Sequence, residues 1–383
     1  MNLVETQFVG IQLITDLLNF KNNDQGFNTG FEKILTEYKR LAFDKLEKFN
    51  NSVRVVNPDI YKEIERRWCL FDADQQEELV MSPQISNIFY WFKPDRISDI
   101  GGILIEALDA ELAKQSQKFD TKKYNSLWTS NGDYFIKYDS EKDGFVDFEA
   151  FRLENDIVLD FFSPFIHNIT DADSIISQSN QIYNYNEAIE VCEKFDRAMQ
   201  PILSKPNNIN RFIKEILNVI VFKKRASEDG KRHFVCGSNY NYMGRLLIVN
   251  PELAKDEDLI DALVHESIHF LLDMIDEING WIPNEINTAE QRIKMNSKWS
   301  GRPLALRTFL HAVFVWYGLF NLWIYALKNG LYDKSYAIEK IDFIKKGFEK
   351  LEIEEFSEFN VSFSKELLNT IDTARNEVLS TKY

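Results

Sequence analysis

Apolar residues recur at three- and four-residue spacing over 8–20, 30–49 and 100–118, which predicts three amphipathic helices in the first half of the chain. Gly101-Gly102 weakens the first turn of the third. The pattern changes between 134 and 157. There Tyr134-Phe-Ile-Lys-Tyr138 and Gly144-Phe-Val-Asp-Phe148 predict two strands around a polar turn, a hairpin at 134–148. Helical spacing returns over 186–199 and 209–222, with Pro201 and Pro206-Asn-Asn208 between them as the preferred internal boundary. Residues 223–232 form a polar loop of mixed charge, and 244–250 predicts a short strand ended by Asn250-Pro251. An apolar-periodic run over 259–275 follows, with Asp256, Glu257 and Asp258 in its first turn and Asn279-Gly280 as its stop. Beyond Gly330 the chain is again amphipathic and helical, with a charged stretch at 349–358.

These elements predict a mainly α (α+β) protein, helical with a small β component next to the helix at 259–275. Three regions are expected: a mainly helical N-terminal one (1–204), a central one (205–330) and C-terminal helices packing on the core (331–383). With 383 residues the chain can bury a large core. Residues 308–327 are nearly all apolar and about long enough to cross a bilayer. Arg307, His311 and Asn321 would be costly in lipid, so a buried core helix is the expectation. Its start is expected at Ser300-Gly301-Arg302-Pro303, where Ser or Gly caps and Pro suits the first turn.

The net charge of -15 argues against a nucleic-acid backbone as partner and leaves room for a basic peptide or a small substrate. Three scattered cysteines, Cys69, Cys192 and Cys236, form no C-x-x-C and suit a reducing compartment. MNLVETQFVG lacks a basic, cleavable leader pattern, so the expected location is cytoplasmic.

The chemistry concentrates in the run at 259–275, as His265-Glu266-Ser267-Ile268-His269. Residues four apart share one helix face, so two imidazoles at this spacing can hold one divalent ion, with Glu266 beside it. Two of the chain's five histidines fall here, which makes a chance occurrence improbable. A third ligand is needed. The metzincin extension is absent, because Leu272 and Ile275 stand where its Gly and third His belong. His311 on the apolar helix is the preferred candidate. Glu290, at a thermolysin-like distance, and Glu285 or Glu277 are rivals. Arg302 and Arg307 suit a carboxylate ligand, through the planar guanidinium fork, but can equally pair with an acid such as Asp273 or Glu290. Trp299, Trp316 and Tyr317 read as core packing or as the mouth of a pocket. Asp139 to Asp147 imitates an EF-hand loop with Ala150 where the bidentate Glu belongs, so a hairpin turn is the better reading.

Two blocks carry a resemblance: Leu263-Val-His-Glu-x-x-His269, and Trp299-Ser-Gly-Arg-Pro-Leu304 with Leu310-His311 and the aromatic helix through Trp323. Together they resemble a family of bacterial H-E-x-x-H proteins encoded near ribosomally made, post-translationally modified peptides. The N-terminal half carries no such resemblance. The family implies hydroxylation of side chains in a precursor peptide, with iron(II) and 2-oxoglutarate as cosubstrate. His265, His269 and His311 would then hold the metal, and Arg302, with Arg307 second, the 2-oxoglutarate carboxylate.

Two alternatives stand beside this expectation. A zinc-dependent, gluzincin-like peptidase would use Glu266 as general base on a zinc-bound water. It would also need an oxyanion donor, for which Tyr240, Tyr242 and His233 are upstream candidates. A non-catalytic peptide-binding protein with a structural metal is the other alternative. No reading calls for nucleic acid or a membrane.

Overall fold

The computed structural model describes residues 10–21, 25–90, 96–116, 123–139, 141, 144–163, 183–204, 206–226, 230–283, 294–359 and 361–383. Twelve α-helices and ten strands lie among them. The chain opens with α1 (Leu13–Leu18), α2 (Gln25–Val56), α3 (Pro58–Trp68), α4 (Ala73–Met81), α5 (Pro83–Tyr90) and α6 (Ile97–Ser116). It continues with β1 (Ser126–Trp128), β2 (Tyr134–Asp139), β3 (Gly144–Glu149), β4 (Phe151–Leu153) and β5 (Ile157–Asp160). Then come α7 (Tyr185–Leu203), α8 (Asn208–Ile216), β6 (Val219–Lys223), β7 (Val235–Ser238), β8 (Arg245–Val249) and α9 (Asp256–Asn279). The last elements are β9 (Lys294–Asn296), β10 (Pro303–Ala305), α10 (Leu306–Asn329), α11 (Lys334–Glu349) and α12 (Lys365–Ser380). The molecule is mainly helical with small sheets, as the periodicity predicts.

The chain forms two compact units. One comprises Met1–Tyr38, Met199–Ile213 and Ile260–Tyr383; the other comprises Lys39–Ala198 and Lys214–Leu259. The three consecutive regions expected from the sequence do not coincide with them. Pro201 lies inside α7, and a unit is defined by contacts between segments far apart in sequence.

In the second unit, Ala42, Leu46, Phe49 and Val53 of α2 fall at helical spacing and share a core with Ile64, Leu79, Val80, Leu104 and Leu108. The predicted hairpin is present. β2 and β3 pair antiparallel from Tyr134↔Glu149 to Asp139↔Gly144. The EF-hand look-alike therefore lies across a hairpin, though Ser140, Lys142 and Asp143 fall outside the described residues.

The larger sheet has the order β4-β5-β6-β8-β7, with β5, β6 and β8 parallel and both edge strands antiparallel. Here the reading of 209–222 as one helix needs correction. It divides into α8 and the strand β6. All five residues of β6 are buried, and Val219-Ile220-Val221-Phe222 is β-branched or aromatic throughout. A strand covered on both faces is apolar at every position, so it lacks the alternation that distinguishes a strand from a buried helix.

The first unit is built around α10. Phe309, Leu310, Val313, Phe314, Tyr317, Phe320, Leu322 and Trp323 are all buried, and α1, α11 and α12 pack on this helix. Among the described residues it is one helix long and apolar enough to cross a membrane, and 72% of its most apolar window is buried inside the protein. Its start differs from expectation. Pro303–Ala305 is a strand paired with Lys294–Asn296, and α10 begins at Leu306 after Ala305, without a side-chain cap. Pro303 is the first residue of its strand, where a missing N–H costs least. All three cysteines are free.

Trp299 is held by an indole hydrogen bond to the Ile344 carbonyl of α11 at 3.1 Å. It lies so close to Gly347 that a Cβ there would clash with the indole ring. Gly347→Ala is expected to cost about 1–3 kcal/mol by overpacking. A lower urea midpoint with an unchanged slope would show it; an unchanged midpoint would mean that Trp299 does not lie against this helix.

Candidate metal centre

Helix α9 buries an apolar face and carries a row of ionisable residues beside it. Leu263, Val264, Ile268, Leu271, Leu272 and Ile275 are fully buried. Asp261, His265, His269 and Asp273 recur every four residues, and Asp276 lies one short step further. The row lies against α10, which runs antiparallel to it. Asp261 accepts the Trp323 indole N–H at 2.7 Å, His269 meets His311, and Asp273 meets Arg307. A Cβ on Gly318 of α10 would clash with Ile268, so glycine permits the close approach of the two helices.

Of the three histidines singled out in the sequence, His269 and His311 bring ring nitrogens within hydrogen-bond distance. Their Nδ1 atoms are 3.2 Å apart, with ring centroids 5.5 Å apart. His265 is next in the row, its ring centroid 5.1 Å from that of His269. Among the described residues no three His, Cys, Asp or Glu side chains converge as a metal-holding group. The approach of His269 and His311 nevertheless fits a shared ion. Two nitrogens each about 2.0–2.1 Å from a tetrahedral metal stand roughly 3.3–3.4 Å apart. The outer nitrogen fits as well. His311 Nε2 is buried without a hydrogen-bond partner, and the nearest acid, Asp273 Oδ1, is 3.8 Å away. A metal-bound imidazole characteristically turns its second N–H to such a carboxylate. Trp281 stacks on His311 at 5.7 Å and donates to the Leu272 carbonyl at 3.0 Å, which holds the ring plane.

Electrostatics keep these imidazoles neutral, the form that binds metal. Burial pushes His269 down to about 4, with His265 adding to the effect. Burial also lowers His311 well below the usual histidine value, helped by His269 and Arg307. His265 is lowered by burial against the opposing pull of Asp261. Glu266 is buried, at 5% exposure.

Arg307 is held by two acids of α9. Its Nη2 is 3.0 Å from Asp273 Oδ1 and its Nη1 is 2.7 Å from Asp276 Oδ2. This is the acid pairing that the sequence left open. Burial raises Asp273 to about 7, and Arg307 opposes that rise. Arg302 is exposed and makes no ion pair with a described residue. Glu277 lies in the last turn of α9 and adds to the charge felt by Asp273. Glu285 and Glu290 lie outside the described residues.

Trp316 is half-buried. It stacks on Trp299 at 5.7 Å and turns an edge toward His265 at 6.4 Å. Tyr317 is buried, and its hydroxyl bonds to Glu377. Tyr240, Tyr242 and His233 belong to the other unit. Asp261, Asp276 and Trp281 were not singled out in the sequence. The period of four running 261, 265, 269, 273 was the available signal for the first of them.

Arg307→Ala is expected to destabilise the protein by about 2–4 kcal/mol, because it strands two largely buried carboxyls. Combining it with Asp273→Asn and Asp276→Asn should recover most of the loss. Urea unfolding of the single and triple variants measures both, and full stability in the single variant would refute the pairing. No protein-family model matches this chain, and no curated protein matches it.

Proposed function

We propose that α9 and α10 hold one divalent metal ion, and that the chain is a metalloenzyme that hydroxylates side chains of a ribosomally made peptide with iron(II) and 2-oxoglutarate. The observation that carries the metal is the 3.2 Å approach of two neutral imidazole nitrogens from different helices. The peptide and the cosubstrate rest on the resemblance of the H-E-x-x-H and Trp-x-x-Arg-Pro blocks.

His269 and His311 would be the paired ligands, with His265 next in the row. Iron(II) with 2-oxoglutarate and oxygen supplies oxidative attack on an unactivated C–H bond. The protein's part is orientation and the exclusion of water. Asp273, anchored by Arg307, is the acid nearest the outer nitrogen of His311, at 3.8 Å. The Trp299–Trp316 stack gives the His265 side an apolar wall. Arg302, with no ion pair to a described residue, offers its fork to the far carboxylate of the cosubstrate.

The buried position of Glu266, one residue from His265, favours the zinc peptidase as second reading. There it would take the proton from water as general base.

Cobalt(II) titration of metal-depleted protein tests the site. One equivalent should bind to the wild type, and binding should weaken more than about tenfold in His269→Ala and in His311→Ala. Equal binding in all three removes the proposed centre. Protein loaded anaerobically with iron(II) should then convert 2-oxoglutarate to succinate, and Arg302→Ala should raise its KM about tenfold or more. Zinc-loaded protein that cleaves peptides, and loses cleavage in Glu266→Gln, would establish the peptidase instead.

A further inference from the structure

The second unit contains a cavity of about 200 Å³ between α4, α6 and the turn that joins β1 to β2. It is smaller than the roughly 300–1,000 Å³ of sites for drug-sized ligands, so it suits one side-chain-sized group. Phe71 and Leu79 supply apolar wall, each only 5% exposed. Glu78, Glu111 and Asn131 supply oxygen acceptors, whereas the Gln75 side-chain oxygen already accepts from the Asp72 N–H at 3.0 Å.

Glu111 is the central group. Its Oε1 accepts from the Ser130 N–H at 3.1 Å and the Ser130 hydroxyl at 3.0 Å. Its Oε2 has no hydrogen-bond partner among the described residues. Asn131 Oδ1 is buried without a partner as well. The one cation in the wall, Lys114, is already committed, with its Nζ 2.7 Å from Asp133 Oδ2. Asp133 also holds Arg152. Both cations of this corner are thus paired with Asp133, and Glu111 has no ion-pair partner of its own among the described residues, while Glu78 stands exposed at the rim.

We propose that this cavity binds the guanidinium or ammonium end of a basic side chain. The acceptor surplus calls for a donor-rich cation. The apolar wall suits an aliphatic stem, which a metal ion or a bare ammonium lacks. The overall charge of -15 favours a basic partner. A peptide carrying Arg or Lys satisfies all three conditions, and so does a free alkylguanidine. The site stands independently of the metal centre, and its test needs neither metal nor turnover.

Glu111 provides a second readout. Burial raises its carboxyl to about 7, with Asp133 raising it further and Lys114 opposing. The other charges around it are Glu78 on α4 and Arg152 on β4. A bound cation favours the ionised carboxyl and lowers this value. Binding near neutral pH should therefore release protons.

Calorimetric titration of the full chain with acetyl-Ala-Arg-Ala-amide, its citrulline counterpart and ethylguanidine tests the site. The arginine peptide should bind saturably, and the neutral citrulline peptide about tenfold or more weakly. Glu111→Gln should weaken the arginine peptide by a similar factor and abolish the buffer-dependent heat of proton release. Glu78→Gln, at the exposed rim, should weaken it less while leaving the fold intact. A tripeptide that binds more tightly than ethylguanidine assigns the group to a peptide. Equal affinities assign it to a free small base, and either result upholds the cation site. The proposal fails if arginine and citrulline peptides bind alike, if no probe saturates, or if both Glu variants bind as the wild type does.

Discussion

A row of ionisable side chains pressed between two apolar helices is the feature on which the candidate centre depends. Charges in such a place are costly unless they are paired, and imidazoles shed their protons. On α9 the row separates accordingly. Its C-terminal end, Asp273 and Asp276, is matched by Arg307. Its middle, His265 and His269, is kept neutral by burial. Asp261, at the other end, is held by the Trp323 indole and by Lys340 at 3.4 Å. Each group has an answer to desolvation, and the unprotonated nitrogens that result are good metal donors.

The same accounting separates the two arginines. Arg307 completes an internal ion cluster, so removing it is first a matter of stability. Its charge also acts on His311 directly, and Asp273 is near both the guanidinium and His311 Nε2. Arg302 stands just before β10 with its side chain exposed, and it is the better placed to meet an outside anion.

The cavity beside Glu111 follows this logic with the opposite sign. There a half-buried carboxyl has no ion-pair partner of its own among the described residues, and desolvation raises it to about 7. At the histidine row, neutrality leaves ring nitrogens with free lone pairs. At Glu111, neutrality marks a place where a cation would be stabilised.

Much of this was legible in the residues themselves. The period of α9, its acidic first turn, the two histidines on one face and the hairpin at 134–148 all follow from local rules, because spacing and turn chemistry act over a few residues. His311 stands out in the residues as a histidine on an apolar helix, one turn from Arg307. Tertiary structure decided the rest. Residues 219–223 are a strand because parallel neighbours from both sides claim their backbone. Pro303 enters a strand because Asn296 stands opposite it. Arg307 is internal because the register of α9 against α10 delivers two carboxylates to it, and the same register brings His269 to His311. Which distant segment lies opposite a residue is set by packing across many contacts at once, and the order of residues along one helix does not encode it.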